Sequence, residues 1–127
     1  MSDARSSPPA PLAGLDVLLV EDEIVIAFMV EDMLMELGCH LVFHAGTVDE
    51  ALAILRQHRP QLAVLDVNLG YITAYPVAER LTELTIPFVF APGYGLQGLD
   101  PRWAAKTVLQ KPFDARLLVP ALRTALG

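Results

Sequence analysis

The feature that most constrains this chain is a repeated unit: a short apolar run, then a charged or polar residue, then a stretch of helical character. The clearest runs are VLLV at 17–20, LAVL at 62–65 and FVFA at 88–91. A run of four is far below the ~20 residues of a membrane span, so these are strands of a globular core. None of them alternates apolar with polar, which is the pattern of a strand covered on both faces. Strands separated by helices, joined by right-handed crossovers, give an open doubly wound parallel sheet with helices on both faces.

The punctuation between the runs supports five such units. Strands are predicted at 16–20, 40–44, 62–65, from Pro87 through FVFA, and at 108–110. Helices are predicted at 23–37, with Gly38 as its C-cap; at 47–57, opened by a capping box of Thr47 and Glu50; and at 76–84, with Pro76 tolerated in the first turn. The last helix, 114–126, takes Asp114 as its N-cap, and Pro120 inside it predicts a kink or a shifted start. NLGYITAY, after Asp66, reads as a loop, and the Gly- and Pro-rich segment 92–106 leaves room for at most a short helix near 101–106.

The chain has 127 residues, which fits one domain: a loosely ordered tail at 1–13, without periodicity, and a single domain at 14–127. Apolar residues make up 54% of the sequence, enough for a full core. The formal charge is −6, and Lys and Arg are scattered singly, which excludes the basic stripe of a nucleic-acid-binding surface. The longest apolar run, 24–30, is too short for a membrane, and the first residues lack a signal-peptide core, so the expected location is the cytoplasm. A lone Cys39, read as a small apolar residue, agrees with a reducing compartment.

The residues that follow the strands carry the chemistry. Glu21, Asp22 and Glu23 follow the first strand, Asp66 and then Asn68 follow the third, and Gln110-Lys111-Pro112 follows the fifth. Ligands of an open α/β sheet sit beyond these carboxyl ends. With strand order 2-1-3-4-5, strands one and three are neighbours ~4.8 Å apart, so Asp22 and Asp66 become close carboxylates. Hard oxygen ligands at that spacing suit Mg²⁺, which relieves their repulsion. A lysine two strands away can reach Asp66, and a carboxylate between two cations can act as a nucleophile toward phosphorus.

LLVEDE at 18–23, LAVLDVNLG at 62–70, IPFVFA at 86–91 and QKPF at 110–113 resemble the receiver domain of bacterial response regulators, the CheY-like family with a flavodoxin-like fold. The resemblance spans about residues 15–126 and carries the order 2-1-3-4-5 with it, so that order is a property of the family rather than a separate deduction. It implies that Asp66 accepts a phosphoryl group, that Asp22, Asp66 and the backbone carbonyl of Asn68 bind Mg²⁺, and that Glu21 acts on the metal through water. It also implies that Lys111 contacts the phosphoryl group, before a Lys111–Pro112 bond that is usually cis. Two positions depart from the family. Pro92 stands where a switch Thr or Ser is usual, and Val108 where an aromatic is usual.

The start of the first helix, IVIAFMV, has no polar face for nearly two turns. Part must pack on the sheet and the rest is left for a partner helix, with Val25 and Met29 as exposed docking positions. His40, His44 and His58 are dispersed and read as structural or surface residues. Trp103 is expected to cover an edge of the core. GYGLQG lacks the Lys-Ser/Thr of a phosphate-binding loop.

The expectation is a stand-alone receiver that takes phosphate from a histidine kinase or a histidine phosphotransfer protein. Its output runs through an unnamed downstream protein or onward phosphotransfer, as a monomer or weak dimer and not as an enzyme. The alternative is a phosphorylation-insensitive binding module, because Pro92 and Val108 remove the usual switch. A hydrolase of the aspartyl-phosphate type is disfavoured by Asn68, where a second Asp is typical, and by the absence of a cap or larger body.

Overall fold

The computed structural model describes residues 12–70, 72–91, 103 and 115–126. The elements run β1 (Asp16–Val20), α1 (Ile24–Glu36), β2 (Leu41–Ala45), α2 (Val48–Gln57), β3 (Leu62–Leu65), β4 (Asn68–Leu69), β5 (Ile72–Thr73), α3 (Tyr75–Glu83), β6 (Phe88–Phe90) and α4 (Ala115–Leu126). The main sheet is parallel, in the order β2-β1-β3-β6. That is the 2-1-3-4 part of the expected order. The expected fifth strand at 108–110, the short helix at 101–106 and the Asp114 cap lie outside the described residues.

The unbroken apolar runs feed two cores, one on each face of the sheet. Leu18 and Val20 of β1, Ala63 and Leu65 of β3, and Phe88 and Phe90 of β6 pack with α2 and α3. Val17 and Leu19, Leu62 and Val64, and Val89 pack with α1 and α4. The period of two along each strand thus sorts neighbouring residues to opposite cores. Register keeps the sorting consistent across the sheet: Val20 pairs with Leu65, and Leu65 with Phe90. Tyr75, Phe88, Phe90 and Trp103 form an aromatic group on the α3 side, with Trp103 5.9 Å from both phenylalanine rings. Trp103 is buried there, as the covering role predicts.

Local chemistry explains the helix ends. Thr47 Oγ1 accepts the Glu50 N–H at 3.1 Å, while Glu50 Oε1 accepts the Gly46 N–H at 2.7 Å, one residue earlier than the expected reciprocal bond. At the other end of α2, Arg59 donates to the carbonyls of Leu55 and His58. Helix α1 ends in a Schellman turn, with Cys39 N–H on Leu34 O and Gly38 N–H on Met35 O, and Gly38 supplies the positive φ. Helix α3 ends the same way, through Ile86 N–H on Leu81 O and Thr85 N–H on Thr82 O. Here the left-handed residue is Thr85, at φ 56°. Helix α4 continues through Pro120, which is exposed.

Several expectations need correction. Leu12, assigned to the tail, is buried against α1, and its N–H donates to Leu37 O at 2.9 Å. The segment read as a loop after Asp66 folds into a hairpin, with Asn68 opposite Thr73 and Leu69 opposite Ile72. Gly70 takes φ +71° in its turn, and Ala74 N–H closes the base on Val67 O at 2.8 Å. Two-residue strands are too short to show alternation in sequence. Cys39 is buried with its Sγ 3.6 Å from Met35 Sδ; burial, then the charge of Asp16, pushes the thiol pKa up and keeps it protonated at neutral pH. No helix among the described residues is long and apolar enough to cross a membrane.

A β-branched residue in left-handed geometry is strained, and glycine is not. Thr85→Gly should therefore stabilise the fold by about 0.5–1 kcal/mol despite its more flexible unfolded chain, read from the denaturation midpoint at unchanged m-value.

Candidate functional site

Glu21 and Asp66, and Ala91 at the end of β6, are each placed by a ladder bond that continues one step past a strand. Asp66 N–H donates to Val20 O at 2.9 Å, extending the β3–β1 pairing. Glu21 N–H donates to Ala45 O at 3.0 Å, extending β1–β2, and Ala91 N–H donates to Leu65 O at 2.7 Å, extending β6–β3. The chain ends of three adjacent strands are thereby held level at one rim of the sheet.

The consequence is a carboxylate cluster. One ligand oxygen from each of Glu21, Asp22 and Asp66 lies within 4.8 Å of the others. Asp22 is exposed, whereas Asp66 is 8% and Glu21 2% accessible. Two unit charges at ~5 Å repel by about 1 kcal/mol in bulk water and by more where water is thinned. Such a cluster persists where cations or hydrogen-bond donors offset the repulsion. The positive end of α1 begins three residues after Glu21 and contributes in the favourable direction. Three hard oxygen donors at this spacing, one facing solvent and two set back, fit a small divalent cation that keeps part of its water.

Glu21 is gripped on three sides. Besides its N–H bond to Ala45, its Oε2 accepts the Glu23 N–H at 3.1 Å, and its carbonyl lies 2.8 Å from His44 Nε2. Glu23 is the N-cap of α1 with an extended backbone and no side-chain cap bond, so the buried Glu21 carboxylate serves the start of that helix. Asn68 is exposed on β4, and its N–H points back at Asp66 Oδ1, 3.4 Å away. The hairpin carries Leu69 into the core and so fixes where Asn68 stands. Lys111, Pro112, Pro92 and Val108 lie outside the described residues.

The structure brings together the acidic residues singled out in the sequence. It also gives His44, read there as structural or surface, a contact with this rim: its Nε2 meets the Glu21 carbonyl. The signal lay in the parallel register: His44 pairs with Leu19, two residues before Glu21, on the same side of β2 as Val42, which packs toward α1.

The outer face of α1 flanks this rim. Ala27, Val30 and Leu34 turn inward, while Ile24, Val25, Phe28 and Met29 are each more than half exposed. Val25, at 66%, is the most open of them. Ile72, on the hairpin that follows Asp66, adds a further exposed apolar side chain.

The fold agrees with that of the relatives. The response regulator receiver domain profile matches residues 17–123. PdtaR, a transcriptional regulatory protein of Mycobacterium tuberculosis, is 31% identical over 115 residues, covering 87% of this chain and 56% of that protein. AfsQ1, a transcriptional regulatory protein of Streptomyces coelicolor, is 30% identical over 110 residues, covering 80% of this chain and 48% of that protein. The chain thus spans about half the length of these curated relatives. Among solved structures, SdrG from Sphingomonas melonis Fr1 is 42% identical and superposes with a TM-score of 0.81 over 92% of this chain and 98% of its own. A BeF3-activated conformation of SdrG from Pseudomonas melonis Fr1, also 42% identical, gives 0.78 over 91% and 98%. With this fold, this rim of carboxylates and these relatives, the chain belongs to the response regulator receiver domain family of two-component signalling proteins.

Proposed function

We propose that the domain accepts a phosphoryl group on Asp66 from a phosphohistidine on a kinase or phosphotransfer protein and signals in the cytoplasm by binding a further protein or passing the group on. The observation that carries this reading is the convergence of Glu21, Asp22 and Asp66 within 4.8 Å at adjacent strand ends. In the reaction, an Asp66 carboxylate oxygen attacks phosphorus, a P–O bond forms, and the P–N bond to the imidazole breaks. Asp22, Asp66 and the Asn68 carbonyl would hold Mg²⁺, with Glu21 acting through water. When bound, Mg²⁺ neutralises the oxygens of the transferring phosphoryl group. Lys111 would supply the second positive charge. The domain is then a substrate of its partner rather than a turnover enzyme.

The outer face of α1 gives the donor a place to dock. Ile24, Val25, Phe28 and Met29 form an apolar stripe that starts two residues after Asp22, next to the acceptor. A donor helix with an apolar face would cover it while presenting its phosphohistidine to Asp66. A second reading rests on Pro92 and Val108, which replace the usual switch pair. The domain would then bind its partner regardless of phosphorylation, and Asp66→Asn would bind as well as the wild type.

Acetyl phosphate with Mg²⁺ should add one phosphoryl mass to the intact protein. Asp66→Asn should remove the adduct, and so should a chelator; an adduct that survives Asp66→Asn would falsify the assignment. Millimolar Mg²⁺ should raise the melting temperature of the wild type, because a ligand at ten times its dissociation constant stabilises by about 1.4 kcal/mol. Asp22→Ala should lose most of that rise. Val25→Glu or Met29→Glu should slow transfer from a protein donor by about tenfold or more while sparing acetyl phosphate, since a charge placed in an apolar contact must be desolvated. Equal losses with both donors would remove the docking role.

A further inference from the structure

Glu21 is the turning point between β1 and α1, and its peptide is held from β2 on both sides. Its N–H is bound by the Ala45 carbonyl at 3.0 Å, a bond that any residue at position 45 could make. Its carbonyl is met at 2.8 Å by Nε2 of His44, and that bond depends on the side chain. A carbonyl oxygen only accepts, so Nε2 carries the proton and donates. The carbonyl belongs to the peptide that joins Glu21 to Asp22, and its orientation sets where both carboxylates can go.

We propose that His44 is a positioning residue for the cation site: by clamping the Glu21–Asp22 peptide, it holds these two carboxylates in register with Asp66. The inference rests on the reading of this rim as a Mg²⁺ site. Three observations support it. Asp22 is exposed, so its own surroundings do little to hold it. The carboxylate of Glu21 is already engaged at Glu23 N–H, so a rotation of this peptide would move metal ligand and helix start together. His44 lies on β2, the edge of the described sheet, where no further strand is paired among the described residues and where the side chain can reach across to β1. Hydrogen bonds behind metal ligands commonly set affinity severalfold or more without touching the ion.

The test compares the wild type with His44→Phe, which keeps a ring but loses the donor, and His44→Gln, whose amide nitrogen reaches the same place as Nε2. Mg²⁺ affinity is read from the rise in melting temperature with Mg²⁺ concentration, and stability from the metal-free midpoint. Phe should weaken Mg²⁺ binding by about three- to tenfold, as the loss of one hydrogen bond predicts, while Gln should stay within about twofold of the wild type. Acetyl phosphate labelling at limiting Mg²⁺ should follow the same order, and saturating Mg²⁺ should restore the rate in Phe. Should Phe prove unfolded, His44→Asn takes its place, because its amide mimics Nδ1 and falls short of the carbonyl; it should show the Phe phenotype. Wild-type affinity in the Phe or Asn variant overturns the proposal, as does a Gln variant as weak as Phe. A wild type that binds no Mg²⁺ overturns the underlying site reading as well, so the two failures are told apart by the wild-type titration alone.

Discussion

The pairing of β1 with β3 is the constraint on which the rest depends. Val20 stands opposite Leu65, and the next ladder bond, Asp66 N–H to Val20 O, brings Asp66 level with the turn that carries Glu21 and Asp22. Burying apolar side chains on both faces drives this pairing, and the carboxylates come with it whether or not they repel. Backbone pairing and charge repulsion therefore oppose each other at this rim. A cation would turn that local cost into affinity, because the ligands are already assembled before it arrives.

The same pairing separates two kinds of apolar surface. Alternate residues of β1, β3 and β6 fill two closed cores, and each core is sealed by a pair of helices. Helix α1 is the exception in composition, since its first two turns are apolar all round and the sheet covers only one side of them. Its uncovered stripe begins two residues after Asp22, so on the proposed function a docking face and Asp66 would share one rim. A partner recognised by that stripe would already be close to Asp66.

Much of the architecture was legible because it follows from local patterns. Runs such as LAVL announced fully buried strands. Thr47 with Glu50 marked a helix start to the residue, and Gly38 marked a stop. The misses share a cause. Thr85 closes α3 in a conformation its side chain disfavours, because the Schellman bonds and the burial of Ile86 outweigh its strain. Leu12 belongs to the core rather than the tail because it packs in the cluster on the α1 side and its N–H donates to Leu37 O, and nothing near it in sequence says so. The β4–β5 hairpin is too short for a periodic signal, yet it decides where Asn68 stands.

By itself the sequence determined the β-then-α alternation, the two-faced burial of the strands and the set of acidic residues at their carboxyl ends. These depend on side-chain chemistry and on spacing along one chain. Only the tertiary structure decided that three carboxylates fall within 4.8 Å, that Glu21 is buried while its neighbour Asp22 is open, and that His44 closes on the peptide between them. Those facts depend on which strands are neighbours and in what register. Residues 20 to 45 positions apart meet there only through long-range backbone pairing, and no local propensity encodes that.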